Sequence, residues 1–242
     1  MKPEALVITA PGTNRDTDAM FALELAGASP RAMSIKQLVA SPHHIDDSQI
    51  IVIPGGFSYA DALGAGRLFA HDLMGVISDA LRRAVEQRRP IIGICNGFQA
   101  LVGAGLLPGG SRRVALGHNE GGTFDCRWIR MTPASQRCIW TRSLSEEIEC
   151  PIAHGEGRFI CEPDVYEELV ENDQIALRYT SPNPNGSMGA IAGICDDTGV
   201  VLGLMPHPEN HVLARQHPQF HRGVSGKLGL NLFTQGVAFV NN

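Results

Sequence analysis

A cysteine lies between two glycines in the segment Gly93-Ile94-Cys95-Asn96-Gly97. An apolar run, Pro90–Ile94, leads into it and an apolar helical pattern follows it, which is the setting of a nucleophile elbow. Because such a strand-to-helix turn is tight, side chains two residues on either side would collide, and glycine is needed there. The turn would hold the sulfur at the carboxyl edge of a sheet, where the helix N-terminus favours a thiolate. A buried, inert cysteine in a tight turn is the alternative.

A thiol nucleophile requires a base and a group that orients the base. Candidates for both follow the apolar run Val200–Met205, in the segment Pro206-His207-Pro208-Glu209. The prolines favour an extended backbone, in which residues two apart point to the same side, so Glu209 could hold the imidazole of His207. An exposed loop is one alternative, and a metal site is another because His207, Glu209 and His211 alternate. The elbow cysteine favours the catalytic pair.

The segment Pro54-Gly55-Gly56-Phe57-Ser58 follows another apolar strand, predicted over Gln49–Ile53. Glycines in such a loop let backbone N–H groups approach a substrate oxygen, so the N–H of Gly56 or Phe57 could join that of Asn96 in an oxyanion hole. A phosphate-binding loop or a plain turn is the alternative. Neither G-x-x-x-x-G-K-[ST] nor G-x-G-x-x-G after a strand occurs in the chain, so the sequence predicts no nucleotide site.

The elements that must position these residues alternate between strand and helix. Three runs, Ala5–Ala10, Gln49–Ile53 and Pro90–Ile94, are continuously apolar, as expected for parallel strands that helices cover on both faces. The sequence therefore predicts an α/β fold: an open, mostly parallel sheet flanked by helices, with antiparallel additions in the second half, in a single domain spanning residues 1–242. The predicted helices are Thr17–Ala26 (capped by Thr13 or Asp16), Phe69–Gln87, Asn96–Val102 and a C-terminal helix near Gly226–Val240. The predicted later strands are Thr123–Met131, Cys138–Trp140, Pro151–Ile152, Gln174–Thr180, Gly189–Ile194 and Val200–Met205.

Composition excludes several kinds of partner. The chain of 242 residues is 43% hydrophobic and 19% charged, and its formal net charge of −5 leaves no broad basic surface for nucleic acid or an anionic membrane. No run approaches the roughly 20 apolar residues of a membrane span. Six cysteines without a C-x-x-C pair predict neither a zinc ribbon nor a dense disulfide framework. Because no export signal begins the sequence, we expect a reducing cytoplasm.

Three motifs together resemble those of class I glutamine amidotransferases: Gly-x-Cys-x-Gly-x-Gln at residues 93–99, His-Pro-Glu at 207–209 and Pro-Gly-Gly at 54–56. The resemblance covers nearly the whole chain and implies a flavodoxin-like sheet. Finer blocks narrow it to one subfamily, the glutaminase subunits of phosphoribosylformylglycinamidine (FGAM) synthases of purine biosynthesis. These blocks are residues 55–61 with 63–66, 95–99, Asn119 with 124–128, 151–158 and 205–210.

The resemblance implies a role for each candidate catalytic residue. Cys95 would attack the side-chain amide of L-glutamine, giving a γ-glutamyl thioester and ammonia. His207 would pass a proton to the leaving ammonia and then activate water, and Glu209 would orient His207. Two residues depart from the subfamily pattern: Ala60 stands where glycine is usual, and Asn210 where a basic residue is common.

Four more residues are implied to bind substrate. Gln99, one turn into the elbow helix, would contact glutamine, unless it is only a solvated or capping helix residue. His154 and Glu156 would line the site or the interface with a partner. Arg127 would recognise a carboxylate or would form a surface ion pair.

The resemblance also implies partner subunits in place of a cofactor or metal in this chain. ATP and Mg would bind to a separate synthetase subunit that converts formylglycinamide ribonucleotide to the amidine, and a third small subunit is common in such complexes. Ammonia would pass between subunits, and neither nucleic acid nor membrane is an expected partner. Two alternatives stay open: a glutaminase that serves a different synthetase, and a non-enzymatic redox or binding protein built on the cysteine elbow.

Overall fold

The computed structural model describes residues 2–75, 77–180 and 182–241, and this part of the chain contains eleven strands and eight α-helices. The strands are β1 (Glu4–Thr9), β2 (Ser29–Ser34), β3 (Ile50–Ile53), β4 (Ile91–Ile94), β5 (Val114–His118), β6 (Asp125–Pro133), β7 (Ile148–His154), β8 (Glu156–Cys161), β9 (Ile175–Tyr179), β10 (Ile191–Cys195) and β11 (Val201–Leu204). The helices are α1 (Asp16–Ala26), α2 (Ile35–Ala40), α3 (His43–Asp46), α4 (Arg67–Met74), α5 (Ser78–Glu86), α6 (Asn96–Gly103), α7 (Pro163–Glu171) and α8 (Leu230–Asn241).

Five parallel strands form one half of a nine-stranded sheet, in the order β2-β1-β3-β4-β11. Strands β3, β4 and β11 are buried along their whole length, and β1 is buried from Ala5 to Ile8. Helix α1 packs against α8, and α4 packs against α6. The continuously apolar runs therefore correspond to strands that are covered on both faces, as predicted.

The second half of the sheet is antiparallel. From β11 it continues through β10, β9 and β6 to β7, while β5 and β8 form a separate antiparallel pair. The predicted fold class, an open α/β sheet with antiparallel additions in the second half of the chain, is confirmed.

Three neighbouring parallel strands end at the same edge of the sheet, directly before the three chemical motifs. Gly93 of β4 pairs with Ile53 at the end of β3, and Ile94 pairs with Leu204 at the end of β11. Because the carboxyl ends of parallel strands meet at one edge, the fold brings the glycine loop, the cysteine and the histidine together.

Some predicted elements differ. The helix predicted over Phe69–Gln87 is two helices, because Gly75 leaves helical geometry with φ −78° and ψ −125°; Val76 of that span lies outside the described residues. The strand predicted over Cys138–Trp140 is a turn, in which the Trp140 side chain donates from Nε1 to the carbonyl oxygen of Val200. Neither predicted residue caps α1, whose N-cap is Arg15.

Several elements carry no clear signal in the sequence. Strand β2 is half-buried along most of its length and lacks an apolar alternation, and α2 and α3 are too short for one. Strands β5 and β8 pair only with each other; β5 mixes half-buried and exposed positions, and β8 buries only Gly157 and Phe159. Among the described residues, no helix has both the length and the apolar character that crossing a membrane requires.

Candidate active site

Cys95 occupies the strained turn that the sequence predicts. Its φ of 51° and ψ of −106° lie where residues other than glycine are rarely found. A Cβ atom on Gly97 would lie 1.9 Å from the carbonyl oxygen of Ile53, and one on Gly93 would lie 2.7 Å from that of Gly97, so neither glycine can carry a side chain. The Cys95 Sγ atom lies 3.9 Å from the carbonyl oxygen of Ala153 on β7.

His207 and Glu209 form a buried hydrogen-bonded pair. Nδ1 of His207 lies 2.7 Å from Oε1 of Glu209. The backbone N–H of His207 donates to the carbonyl oxygen of Pro151 at 2.9 Å, and Pro208–Asn210 form one turn of 3₁₀ helix. These contacts fix the imidazole with its other nitrogen, Nε2, free of the carboxylate.

Gly55 brings the cysteine and the histidine together. A Cβ atom on Gly55 would lie 2.7 Å from Cε1 of His207 and 3.4 Å from Cβ of Cys95, and both side chains line a cavity of about 200 Å³. Burial lowers the pKa of His207, but the charges of Glu209 and Cys95 outweigh burial and raise it to about 10. The imidazole is therefore a cation at neutral pH, held between a carboxylate and a sulfur atom.

Of the three backbone N–H groups that the sequence predicts for an oxyanion hole, one is already used by another hydrogen bond. Asn96 is the first residue of α6, so its N–H has no acceptor within the helix. Gly56 lines the cavities on both sides of Cys95. The N–H of Phe57 donates to the carbonyl oxygen of Gly12 at 3.2 Å. The prediction for Phe57 is therefore corrected: the loop after β1 already uses that group.

A chain of side-chain hydrogen bonds runs behind the cysteine. Ser58 Oγ donates to Asn96 Oδ1, and Asn96 Nδ2 lies 3.2 Å from both Asp61 Oδ1 and Gln99 Oε1. Gln99 Nε2 donates to the carbonyl oxygen of Glu156 at 2.6 Å. Gln99 thus lies in the wall of a second cavity, of about 180 Å³, next to Cys95, as a substrate contact would require.

His154 and Glu156 line the same cavity of about 180 Å³. Nδ1 of His154 lies 2.9 Å from Oδ1 of Asn119, and Nδ2 of Asn119 donates to the carbonyl oxygens of Thr123 and His154. Burial, together with the positive charge of His207, lowers the pKa of His154 to about 4, so its imidazole is neutral. Asn119 belongs to a motif that resembles the subfamily, but sequence reasoning gave it no role and so missed that it orients His154.

Arg127 does not reach Cys95. It lines a separate cavity with Trp128 and Glu149, and its Nε atom lies 2.8 Å from Oδ2 of Asp125. Its Nη2 atom donates to the carbonyl oxygen of Pro184. The carboxylate that Arg127 binds is thus that of Asp125. Of the two interpretations of the sequence, the structure contains the second, a surface ion pair.

Two exposed aromatic rings flank the site. Phe57 and Phe124 stack with centroids 6.4 Å apart, about half of each side chain is exposed, and both line the cavities on either side of Cys95. Leu63 on the same loop as Phe57 is 65% exposed. Large apolar side chains at the mouth of a cavity are typical of a surface that another protein covers.

A metal site at the histidine motif receives no support from the geometry. Nδ1 of His211 donates to the carbonyl oxygen of Glu149 at 2.6 Å and so is not directed at Glu209. In the described part of the chain, only one group of side chains has the spacing of metal ligands, and it lies on the surface near α3. Its members are His43, His44 and Asp47.

The two departures from the subfamily pattern have visible consequences. Ala60 has φ 53°, a left-handed conformation that glycine adopts without strain, and it lies between Tyr59 and Asp61, which are also left-handed. Asn210 donates from Nδ2 to Oδ2 of Asp18 on α1 at 3.0 Å. The first departure adds strain to the loop beside the cavity, and the second ties the catalytic turn to α1.

Comparison with known protein families gives one match along nearly the whole chain. A family model described as a CobB/CobQ-like glutamine amidotransferase domain matches residues 2–240. The chain is 46% identical to a Treponema denticola protein named phosphoribosylformylglycinamidine synthase subunit PurQ, with 99% of this chain and 100% of that protein covered. It is 39% identical to the protein of the same name from Dehalococcoides mccartyi, with 98% and 97% covered.

Solved structures also match along most of the chain. A chain in the structure of PurLQS from Thermotoga maritima matches with a TM-score of 0.79 and 33% identity, and 99% of each chain is covered. A glutamine amidotransferase from the same organism matches with a TM-score of 0.52 and 16% identity, over 92% of this chain and 82% of that one. At that identity the second match concerns the fold alone.

Proposed function

Because the chain belongs to the glutamine amidotransferase family, we propose that it is the glutaminase subunit of an FGAM synthase, which releases ammonia from L-glutamine for a synthetase subunit. The relatives with this name match the chain from end to end, which favours this role over a glutaminase for a different synthetase. The paired His207 and Glu209 favour an enzyme over a non-enzymatic redox or binding protein, which would not need them.

One observation carries the proposal: adjacent parallel strands deliver Cys95 and the buried His207–Glu209 pair to one edge of the sheet, on either side of Gly55. A strained elbow cysteine beside an imidazolium that a carboxylate orients is the arrangement of a thiol nucleophile with its acid and base. The arrangement does not require a metal or a nucleotide.

The reaction follows from these positions. The Cys95 sulfur attacks the amide carbon of glutamine, and the electron pair of the carbonyl moves onto oxygen. His207 gives its proton to the amide nitrogen, the C–N bond breaks, and ammonia leaves a γ-glutamyl thioester. Water then attacks the thioester, the neutral His207 takes a proton from the water, and the thiol is released with glutamate. Glu209 stabilises the charged form of His207 in both halves.

The remaining roles follow from what lines the two cavities. The N–H groups of Asn96 and Gly56 stabilise the oxyanion that forms in each half of the reaction. Gln99, His154 and Glu156 bind the part of glutamine away from the amide, since all three line the cavity of about 180 Å³ next to Cys95.

A synthetase subunit is the partner in this proposal. The exposed side chains of Phe57 and Phe124 line both cavities beside Cys95, and a subunit docked on them would cover the site and keep ammonia from water. The Thermotoga maritima match at 33% identity comes from a structure named PurLQS. ATP and Mg belong to the synthetase, and a third small subunit completes the complex.

A reducing cytoplasm is the compartment that fits this chemistry. All six cysteines are free thiols, and Cys95 must stay reduced to act as a nucleophile.

The proposal is tested in the complex reconstituted with the synthetase subunit. With formylglycinamide ribonucleotide, ATP and Mg, product formation is measured with glutamine and then with an ammonium salt as the nitrogen source. Cys95→Ser should abolish the glutamine-dependent reaction and leave the ammonium-dependent one intact. Cys161→Ser, a change at a half-buried cysteine on β8, is the matched control and should retain both. A Cys95→Ser complex that still uses glutamine would refute the proposal.

A further inference from the structure

The loop between β3 and α4 forms one wall of the cavity of about 180 Å³ next to Cys95. Four of its residues line that cavity: Gly56, Phe57, Asp61 and Ala65. Ser58, on the same loop, is not among the described residues that line either cavity beside Cys95, yet only 2% of it is exposed. Ser58 belongs to a block that resembles the subfamily, and the proposed reaction gives it no role.

The partner of Ser58 is the side chain of Asn96, the residue that follows the nucleophile. Ser58 Oγ donates to Asn96 Oδ1, and both residues are buried. Asn96 Nδ2 donates to Asp61 Oδ1 and to Gln99 Oε1, each at 3.2 Å. Because an ionised carboxylate only accepts hydrogen bonds, the contact with Asp61 determines which end of the amide faces Ser58. The oxygen and both N–H groups of the amide are therefore occupied by neighbouring residues of the fold.

The two loop residues that bond to Asn96 lie on either side of strained backbone. Ser58 precedes, and Asp61 ends, a run of three left-handed residues with φ values of 54°, 53° and 51°. Residues other than glycine rarely adopt this conformation, so contacts around the run must hold it. Further along the loop, a Cβ atom on Gly66 would lie 2.7 Å from Cβ of Gln99, so the loop packs directly against α6. These contacts determine where the loop lies relative to the helix.

The two N–H groups that stabilise the oxyanion in the proposed reaction belong to the two segments that this amide connects. One is the N–H of Asn96 at the start of α6, and the other is that of Gly56, two residues before Ser58 on the loop. Such a donor is effective only when it lies about 2.7–3.1 Å from the oxyanion. A small shift of the loop would therefore weaken transition-state stabilisation more than it weakens binding of the substrate's carbon chain.

We propose that Ser58 is a positioning residue: through the amide of Asn96 it holds the loop against α6 and so sets the spacing between the N–H groups of Gly56 and Asn96. This inference rests on the proposed function. Ser58 contributes to catalysis in this way without touching the substrate. A serine that only supported the fold would affect the binding of all ligands of the site alike.

The test measures Ser58→Ala in the complex with the synthetase subunit. We expect kcat for glutamine to fall about 10- to 100-fold while KM stays within about threefold of wild type. Two inhibitors separate the two effects. The aldehyde carbon of L-glutamate γ-semialdehyde accepts the sulfur of Cys95, and its carbonyl electron pair moves onto oxygen, which gives a tetrahedral adduct. L-Norvaline has the same five-carbon chain but no oxygen at that end. The inhibition constant of the aldehyde should rise by the same factor as kcat falls, and that of norvaline should not change.

Two more variants and a control complete the experiment. Asn96→Ala should cause a loss at least as large as that of Ser58→Ala. The double variant should be no worse than Asn96→Ala, because Ser58 acts through that amide. The matched control is Ser48→Ala. Ser48 is an equally buried serine before β3, at the opposite edge of the sheet, and its Oγ donates to the carbonyl oxygen of His44 at 2.7 Å. This change should leave all four measured constants as in wild type.

Three results would overturn the inference. Equal weakening of the aldehyde and of norvaline, or a Ser58→Ala subunit that does not fold or assemble, would mean that Ser58 serves the fold alone. Wild-type constants in Ser58→Ala would mean that the spacing does not depend on this serine. Additive losses in the double variant would mean that Ser58 acts independently of Asn96. Failure of the proposed function would look different, since wild type itself would then show no Cys95-dependent hydrolysis of glutamine.

Discussion

Nδ1 of His207 lies 2.7 Å from Oε1 of Glu209, and both side chains are almost completely buried. A carboxylate at this distance determines which nitrogen of the imidazole faces the substrate, and it stabilises the protonated ring. The pair lies on a short 3₁₀ turn that a backbone hydrogen bond to Pro151 ties to β7. The orientation of the base is therefore a property of the fold and does not depend on bound substrate.

The pKa of His207 should depend on Glu209. Burial lowers it, while the charges of Glu209 and Cys95 raise it to about 10. In Glu209→Gln one of the two raising charges is lost, so the pKa should fall clearly below that of wild type. Titration of the histidine ring nitrogens by NMR measures it directly. An unchanged pKa would contradict this account of the pair.

Glu209→Gln should also slow the reaction. Because the amide cannot stabilise an imidazolium, kcat for glutamine should fall by about 10²- to 10⁴-fold, as in other triads that lose the orienting carboxylate. Glu168→Gln, on the exposed face of α7, is the matched control and should keep wild-type kcat. A Glu209→Gln enzyme within a few-fold of the control would show that the carboxylate is not part of the mechanism.

Gly55→Ala should separate the two catalytic side chains. The added Cβ would lie 2.7 Å from Cε1 of His207, closer than such contacts allow, so the imidazole must move away. We expect a loss of about 100-fold or more in kcat, in line with the effect of small misplacements at other active sites. In Gly121→Ala, the control, the new Cβ meets nothing closer than 3.9 Å, and activity should persist. Wild-type activity in Gly55→Ala would mean that His207 is not held where the structure has it.

The contribution of His154 to protein stability should fall in mild acid, whereas that of His207, whose pKa is raised to about 10, should rise. The pKa of His154 is about 4 in the folded chain against an ordinary value of 6.5, so between these values the unfolded chain binds more protons. The stabilisation that the neutral His154 provides is complete above pH 6.5 and is lost as the pH falls towards 4. Between about pH 7.5 and pH 5 the loss from His154 amounts to about 2 kcal/mol. Urea unfolding at both pH values should show that acidification changes the free energy of unfolding less favourably in wild type than in His154→Asn, because the contribution of His207 is common to both proteins. Equal changes would mean that His154 does not stay neutral.

Ala60→Gly should stabilise the loop beside the cavity. Ala60 has φ 53°, and glycine adopts that conformation without the clash that its Cβ causes. After the greater entropy of glycine in the unfolded chain is subtracted, the gain should be about 0.5–1 kcal/mol by chemical denaturation. Ala62→Gly is the control: its φ of −57° is ordinary, so that change should destabilise. A destabilised Ala60→Gly variant would show that the loop carries no such strain.

Much of this arrangement could be predicted because each motif directly follows a buried strand. The runs before Gly55, Cys95 and His207 are continuously apolar, as in the buried strands of a parallel sheet. Strands of such a sheet end at the same edge, so the three motifs are expected to lie together there. The family and the fold class predicted from these motifs are confirmed. The position of Arg127 could not be predicted in this way, because its strand, β6, pairs with strands that are distant in sequence. The register of that pairing determines the face of the sheet on which Arg127 lies.

The free N–H groups were harder to predict than the side chains. Whether Phe57 or Gly56 can serve the oxyanion depends on the loop after β1, which accepts a hydrogen bond from Phe57, and no pattern near residue 57 indicates that contact. The same limit applies to Asn119, whose partner His154 lies 35 residues later in the chain. Local patterns predict elements, whereas contacts between loops depend on the assembled fold.

Labelling with diazo-oxo-norleucine, a glutamine mimic that alkylates the attacking nucleophile, tests the central claim most directly. The complex with the synthetase subunit is treated with the reagent and its peptides are mapped by mass spectrometry. We predict one adduct, on Cys95, that glutamine suppresses and that Cys95→Ser lacks. An adduct on another of the six cysteines, or no glutamine-protected adduct on an active complex, would contradict the assignment of Cys95 as the nucleophile.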